Sequence, residues 1–390
     1  MSQPVRLLYI ALSPPSDATS GTLLMHRHLQ ALGERAEIAV LHTDTQLPPA
    51  PGVYCLPVRR LYERLLRTRF HERVRALEHT RGLFYSRRAM KAVIRRVRPD
   101  AILAVPEESL HLTVRAVARS CGVPVVSVFH DWAPGWPGVP PACRQDTEAA
   151  FRRFHRESVA SLCVSPELLE HLGPHPGAAV LYPVPDPQKP VDPPLVPAGN
   201  FHVLYAGAFY SMYAVEMKAL CRELAGTPSA APVRVLGPDP RWPEEDMQLL
   251  RRVGIYQGFF KGAEFRARLA AAPALLVISS FTPEWEAYAR YSFPSKIPEY
   301  CRYGRPIVIW GPPYAASVAW GRRSGAALVV DDPSPAALLA ALRELERQPE
   351  LQLTLAHRAA HAAATEFDPG RLQAVFEAGL RRAVPHLARA

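Results

Sequence analysis

Tyr291-Ser-Phe-Pro-Ser-Lys-Ile-Pro-Glu-Tyr-Cys-Arg-Tyr-Gly-Arg-Pro-Ile-Val-Ile-Trp310 carries the chain from a break through a short helix into a strand. Pro294 interrupts the chain and Ser295 is a capping residue. The spacing therefore predicts a helix from about Ser295 to Tyr303 that stops at Gly304. Arg305 and Pro306 follow, then the wholly apolar run Ile307-Val-Ile-Trp310. A helix start exposes free N–H groups and partial positive charge, which suit a phosphate or diphosphate. Lys296 lies in the first turn, where the helix dipole has no use for a cation. Glu299, one turn on, is placed to accept from sugar hydroxyls. Plainer readings stand beside these: a solvent-facing lysine, and a carboxylate that complements the dipole.

Outward from this stretch, apolar β-branched runs alternate with helix-like segments, the pattern of parallel α/β units. Towards the N-terminus, strands are expected at Arg6–Leu12, Ala36–Leu41, Gly52–Pro57, Ala101–Val105, Pro124–Phe129, Ser161–Val164 and Ala179–Tyr182. Helices are expected at Leu23–Leu32, Tyr85–Val97, Leu110–Arg119 and Pro166–Leu172. The run from Pro183 to Gly199 is dense in proline and reads as a linker. A second series follows: strands at Phe201–Tyr205, Val233–Leu236, Ala274–Ser279, Pro306–Trp310 and Ala326–Val330, with helices near Val215–Leu224, Glu244–Val253, Ala263–Ala271 and Pro335–Arg347. Gly254–Phe260 lies between two of these helices, and the tail from Leu351 to Leu387 is helical. At 390 residues the chain suits two domains. Their expected limits are 1–185 and 200–365, joined by 186–199 and followed by a helical tail, 366–390.

The Pro294-Ser295-Lys296-Ile-Pro-Glu299-Tyr300 stretch, followed by Gly304-Arg-Pro306 and a strand, resembles the donor-binding region of GT-B glycosyltransferases, the family-4-like enzymes above all. The resemblance runs almost end to end. It implies an α/β protein of two Rossmann-like, doubly wound domains facing a cleft, with a C-terminal helix packing across them. It also implies transfer of a sugar from a nucleotide diphosphate donor to an acceptor hydroxyl with retention of configuration. The nucleotide sugar is then a co-substrate, and no cofactor is expected. By the same resemblance Glu299 meets the ribose, and Ser295 and Lys296 meet the diphosphate. Gly207 ends a strand beside the donor, Lys261 lies in the loop facing the base, and Gly21 lies in an N-terminal loop near the phosphate or sugar. A surface lysine is the plainer reading of Lys261, and Gly237 at a strand end reads as a close-approach glycine or a plain turn glycine. The chain departs from the family where Ala208 and Ala214 stand near two basic positions, and where Tyr291 replaces the first of two glutamates. Lys296 is the obvious replacement cation.

On the acceptor side, the strand Pro124–Phe129 ends at His130-Asp131-Trp132. A histidine of near-neutral pKa there suits orientation or deprotonation of an acceptor hydroxyl, with Asp131 beside it. A structural histidine held by a neighbouring carboxylate is the alternative. Glu107 and Glu108 follow the preceding strand on the same edge. Trp132 and Trp136 are candidates either for stacking a sugar or for anchoring loops.

Other chemistries find no support in the sequence. No GxxxxGK[ST], HExxH, GxSxG or aspartate-rich DxD run occurs, and a metal-independent reaction is expected. The six cysteines show no ligand spacing and read as reduced thiols of a cytoplasmic protein. No apolar run is long enough to span a bilayer. Between Arg59 and Arg98 fourteen Lys/Arg face three Glu, an excess of eleven that accounts for the whole net charge of +10. Such a face meets anionic lipid or an acidic acceptor, or is merely solvated; nothing in it suggests nucleic acid. The expected partners are a nucleotide sugar, a glycan or lipid-linked acceptor, and the inner face of an anionic membrane through 59–98. Two other readings share the fold: a degenerate protein that binds or scaffolds without turnover, and a nucleotide-sugar 2-epimerase.

Overall fold

The computed structural model describes residues 3–17, 20–195, 200–226 and 232–387. The chain divides into two compact units, Met1–Val184 with Gly370–Ala390, and Pro185–Pro369. The first is built on a parallel sheet in the order β3-β2-β1-β4-β5-β6-β7. Its strands are β1 (Val5–Ile10), β2 (Ala36–His42), β3 (Val53–Cys55), β4 (Ala101–Ala104), β5 (Val125–Phe129), β6 (Ala160–Cys163) and β7 (Ala178–Val180). Its helices are α1 (Ser20–Leu32), α2 (Arg60–Leu65), α3 (His71–Arg81), α4 (Arg87–Val97), α5 (Leu110–Cys121), α6 (Arg144–Glu157) and α7 (Pro166–Leu172). The central strands β4, β5 and β6 are buried along their whole length, as continuous apolar runs demand when helices cover both faces. Ser86 and Ser165 cap α4 and α7 through Ala89 N and Leu168 N, at 3.2 and 3.0 Å.

The second unit carries the sheet β12-β11-β10-β8-β9, also parallel. Its strands are β8 (Val203–Ala206), β9 (Val233–Leu236), β10 (Ala274–Ile278), β11 (Ile307–Trp310) and β12 (Ala327–Val330). Around them lie α8 (Ala214–Ala225), α9 (Glu244–Val253), α10 (Gly262–Ala271), α11 (Glu286–Tyr291), α12 (Lys296–Cys301), α13 (Ala316–Ser324), α14 (Pro335–Glu346) and α15 (Pro349–Ala364). The chain then returns to the first unit through α16 (Pro369–Ala383), where Phe376 stacks on His28 and Glu377 pairs with Arg35 at 2.7 Å. Each sheet has one point where the strand order reverses, between β1 and β4 and between β8 and β10. In open α/β sheets ligands gather outside the carboxyl ends of the strands at such points.

Several expectations change. The helix expected over 295–303 spans only Lys296–Cys301, and the Ser295 side chain makes no capping bond. Pro298 sits in its first turn, where a missing N–H costs little. The strand expected over 52–57 shortens to Val53–Cys55, and 254–260 contributes only a bridge from Tyr256 to Val235. Helices α2, α3, α6, α11 and α13 were not anticipated. The proline-rich run is docked along residues 186–192 and at Leu195. Asp192 N and Leu195 N donate to Arg302 O and Gly304 O at 2.8 and 3.1 Å, and Asp186 N to Glu299 Oε2 at 3.3 Å. Residues 196–199 of that run lie outside the described residues.

Candidate functional site

In the second unit the site grows from α12. Ile297, Tyr300 and Cys301, spaced i, i+3, i+4, are buried and fix the helix against the sheet. The Tyr300 hydroxyl accepts from Ala206 N at 3.0 Å, tying α12 to the last residue of β8. Lys296, one turn before Tyr300, lies at the edge of this buried face on the side of β8, and Glu299 lies further round the helix. Lys296 runs beneath the carboxyl end of β8, with Nζ 5.0 Å from the Tyr205 ring centroid and 5.4 Å from that of Tyr213. It makes no hydrogen bond or ion pair among the described residues. Although the residue is only half-buried, the enclosure of its ammonium pushes the pKa down to about 8.

Gly207 makes this position possible. It has φ 140, and a Cβ there would stand 2.6 Å from Lys296 Cε. Gly237, at the end of β9, lies so close that a Cβ would fall 2.2 Å from Gly207 O. Two strand ends thus approach backbone to backbone beside one cation. Ser295 precedes Lys296 at the mouth. Glu299 is half-buried and already accepts from Asp186 N. Lys261 is exposed beside Phe259, 5.3 Å from the ring centroid, as an ordinary surface lysine would be. A six-residue helix adds little dipole of its own, so the cationic character of the site rests on Lys296.

Glu216 was missed in the sequence. It is 4 % exposed on α8, and its Oε1 accepts from Ser280 Oγ at 3.0 Å and Phe281 N at 2.7 Å. It thereby holds the loop after β10, at the strand-order reversal. A glutamate in the first turn of a helix looks like a dipole partner, and nothing local reveals the distant loop it binds.

In the first unit the carboxyl edge gathers Glu107, His130 and Asp131. Glu107 Oε2 accepts from Leu12 N at 3.0 Å, spanning the ends of β4 and β1 where the strand order reverses. Burial, with Asp131 and Glu108 near, pushes its pKa up to about 7. His130 is half-buried, with Nε2 shielded and without a hydrogen-bond partner, and burial beside His28 holds its pKa down at about 4. The expected near-neutral histidine is therefore a neutral imidazole, and Glu107 is the group poised near neutrality. Trp132 is 3 % exposed and edge-on to Phe151 at 5.4 Å, under the Arg152 guanidinium, so it anchors the loop and stacks no sugar. Gly21 lies exposed in the first turn of α1 with open space around it, so nothing within the unit requires a glycine there.

The family described as Glycosyltransferase Family 4 matches residues 18–182. No curated protein matches the chain. Among solved structures, a glycosyltransferase of Rickettsia africae is 11 % identical with TM-score 0.65, covering 99 % of this chain and 100 % of its own. HepE of Anabaena, solved with UDP and glucose, is 13 % identical with TM-score 0.64, covering 96 % and 99 %. WaaG, a glycosyltransferase involved in lipopolysaccharide biosynthesis, is 14 % identical with TM-score 0.64, covering 96 % and 99 %. The architecture is that of GT-B glycosyltransferases. The family match covers less than half of the chain, and these likenesses show the fold.

Proposed function

We propose that the protein transfers a sugar from a UDP-sugar to a hydroxyl of a glycan or lipid-linked acceptor in cell-envelope or polysaccharide synthesis. The observation that carries this reading is Lys296, an enclosed cation without an anionic partner among the described residues, beside Gly207 at the carboxyl end of β8. A lysine held this way gains most from a diphosphate, whose charge offsets the cost of enclosing the ammonium. The same cation stabilises the negative charge that develops on the departing nucleotide, without a metal ion. Ser295 adds a donor, and Glu299, by the family-4 resemblance, meets the ribose. The choice of UDP follows HepE, solved with UDP and glucose, and an Escherichia coli protein solved with UDP-2-fluoro glucose. Retention of configuration follows the family-4 resemblance.

On the acceptor side, Glu107 takes the hydroxyl proton, and neutral His130 and Asp131 orient the acceptor. The acceptor is membrane-borne in this reading. Leu61, Phe70 and Leu77 are exposed among the basic residues of 59–98, a combination that suits an anionic lipid surface. Among the described residues no helix is long and apolar enough to cross a membrane. Contact of the protein with the bilayer, at its cytoplasmic face, is then peripheral.

The test is a thermal-shift comparison of UDP-, GDP-, ADP- and TDP-sugars on wild type, Lys296→Ala and Glu299→Ala. Stabilisation by UDP-sugars that both variants lose supports the reading. Stabilisation by none of the nucleotides favours a scaffold without turnover.

A further inference from the structure

Beneath α3 in the first unit lies a cavity of about 340 Å³, large enough for a small ligand. Its roof is fixed where α3 ends. Gly82 has φ 60, a Cβ there would lie 2.7 Å from Leu112 Cβ on α5, and Thr113 Oγ1 donates to Gly82 O at 3.2 Å. Leu66, Phe84, Pro134, Val139 and Phe151 give the cavity apolar walls. Among them point three polar groups whose hydrogen bonding among the described residues is incomplete. Glu78, 4 % exposed, receives Phe84 N on Oε2 at 2.6 Å and leaves Oε1 unpartnered. His79 is held through the Gly138 backbone and leaves Nδ1 unpartnered. The Trp136 indole Nε1 is buried without an acceptor. Buried polar atoms are rarely left unpaired, and three around one cavity mark a place for a polar ligand.

The chemistry of that ligand is restricted. The indole N–H only donates, the carboxyl and imidazole accept or donate according to their protons, and the walls are hydrocarbon. Burial and Glu108 push the Glu78 carboxyl up to about 8, so it is largely protonated at neutral pH. A ring bearing hydroxyls meets all of these demands. An anion inside the cavity would face Glu63, Glu78 and Glu108 against the single cation Arg75, which lies close enough to act on Glu108. Across Tyr85, which lines both spaces, the polarity reverses. A groove of about 750 Å³ is lined by Arg59, Arg81, Arg87 and Arg88 with Ser86, and by no acidic residue. We propose that the cavity under α3 seats a neutral sugar ring of the acceptor, and that the arginine groove takes a phosphate attached to that sugar. The acceptor is then a glycosyl phosphate or its ester. This rests on the glycosyl-transfer reading and adds the chemical class of the acceptor to it.

The experiment uses the full chain carrying Lys296→Ala, so that sugar phosphates cannot report through the second unit. Saturation-transfer NMR is run with glucose, galactose, mannose and N-acetylglucosamine 1-phosphates, the corresponding free sugars, and inorganic phosphate as competitor. The expected result is that at least one sugar phosphate receives saturation on its ring protons and binds more tightly than its free sugar. Glu78→Gln and Trp136→Phe, each shown folded by circular dichroism, are expected to weaken it roughly tenfold. Arg87→Ala with Arg88→Ala is expected to bring its affinity down to that of the free sugar. Three outcomes overturn the proposal: no ring saturation with any of the sugars, affinity unchanged in Glu78→Gln and Trp136→Phe, or full displacement of the sugar by inorganic phosphate alone. UDP binding to the chain with Lys296 intact is measured in parallel. Its persistence when the sugar phosphates fail would sink this inference and leave the transferase reading standing.

Discussion

Lys296 shows how much one residue's meaning depends on its surroundings. In the sequence it read as a phosphate ligand with a surface lysine as the plainer alternative, and in the fold it is enclosed beside two tyrosine rings. Its folded pKa of about 8 lies below the ordinary 10.5, so the unfolded chain binds more protons between these values. Stability of the ligand-free protein is therefore expected to rise between about pH 8 and 10.5, and the cost of enclosing the ammonium is fully present below pH 8. Lys296→Met is expected to melt higher than wild type at pH 7 and to lack this part of the rise, as read by melting curves across pH. Diphosphate binding requires the charged form, so affinity is expected to fall by up to about tenfold per pH unit above pH 8. A flat affinity profile from pH 7 to 9.5 would remove Lys296 from the diphosphate. Gly207→Ala is expected to weaken UDP binding as strongly as loss of the lysine, because its Cβ would displace Lys296 Cε. Calorimetric titration with UDP checks this.

At the scale of elements, α12 and the chain before β8 stand together. A six-residue helix is not stable alone and is formed by its tertiary contacts. Gly304, φ 57, allows the 192–193 backbone to pass, and a Cβ there would lie 2.5 Å from Pro193 O. The sequence explained this glycine as a helix stop, but its closer constraint is a segment over a hundred residues away. Gly304→Ala is expected to cost about 1–3 kcal/mol in chemical denaturation. It should also expose the amides of Asp192 and Leu195 to hydrogen exchange while the amides of β10 stay protected. Helix α3 was illegible for another reason. Its buried residues are Val74 and Glu78, one of them polar, so no apolar stripe marks it. That same inward carboxylate is what makes the cavity beneath α3 informative.

At the scale of the molecule, the charge excess of 59–98 and the exposed Leu61, Phe70 and Leu77 belong to one segment. Co-sedimentation with vesicles containing anionic lipid is expected at low salt and should weaken as salt screens it. Glutamate at positions 60, 64, 67 and 69 together is expected to abolish it without changing the UDP thermal shift. Transfer is expected to survive EDTA undiminished, and loss of activity restored by a divalent cation would overturn the metal-free reading. The sequence by itself determined the strand–helix alternation, the two series and the motif at 294–306, because burial on both faces of parallel strands writes continuous apolar runs that need no partner to be recognised. Only the tertiary structure decided what the polar residues do. Glu107 meets Leu12, Glu216 holds Ser280 and Phe281, and Glu78 turns inward to the cavity beneath α3. Hydrophobic pattern is a local signal repeated along the chain, whereas a polar side chain takes its pKa and its partner from residues the fold brings to it.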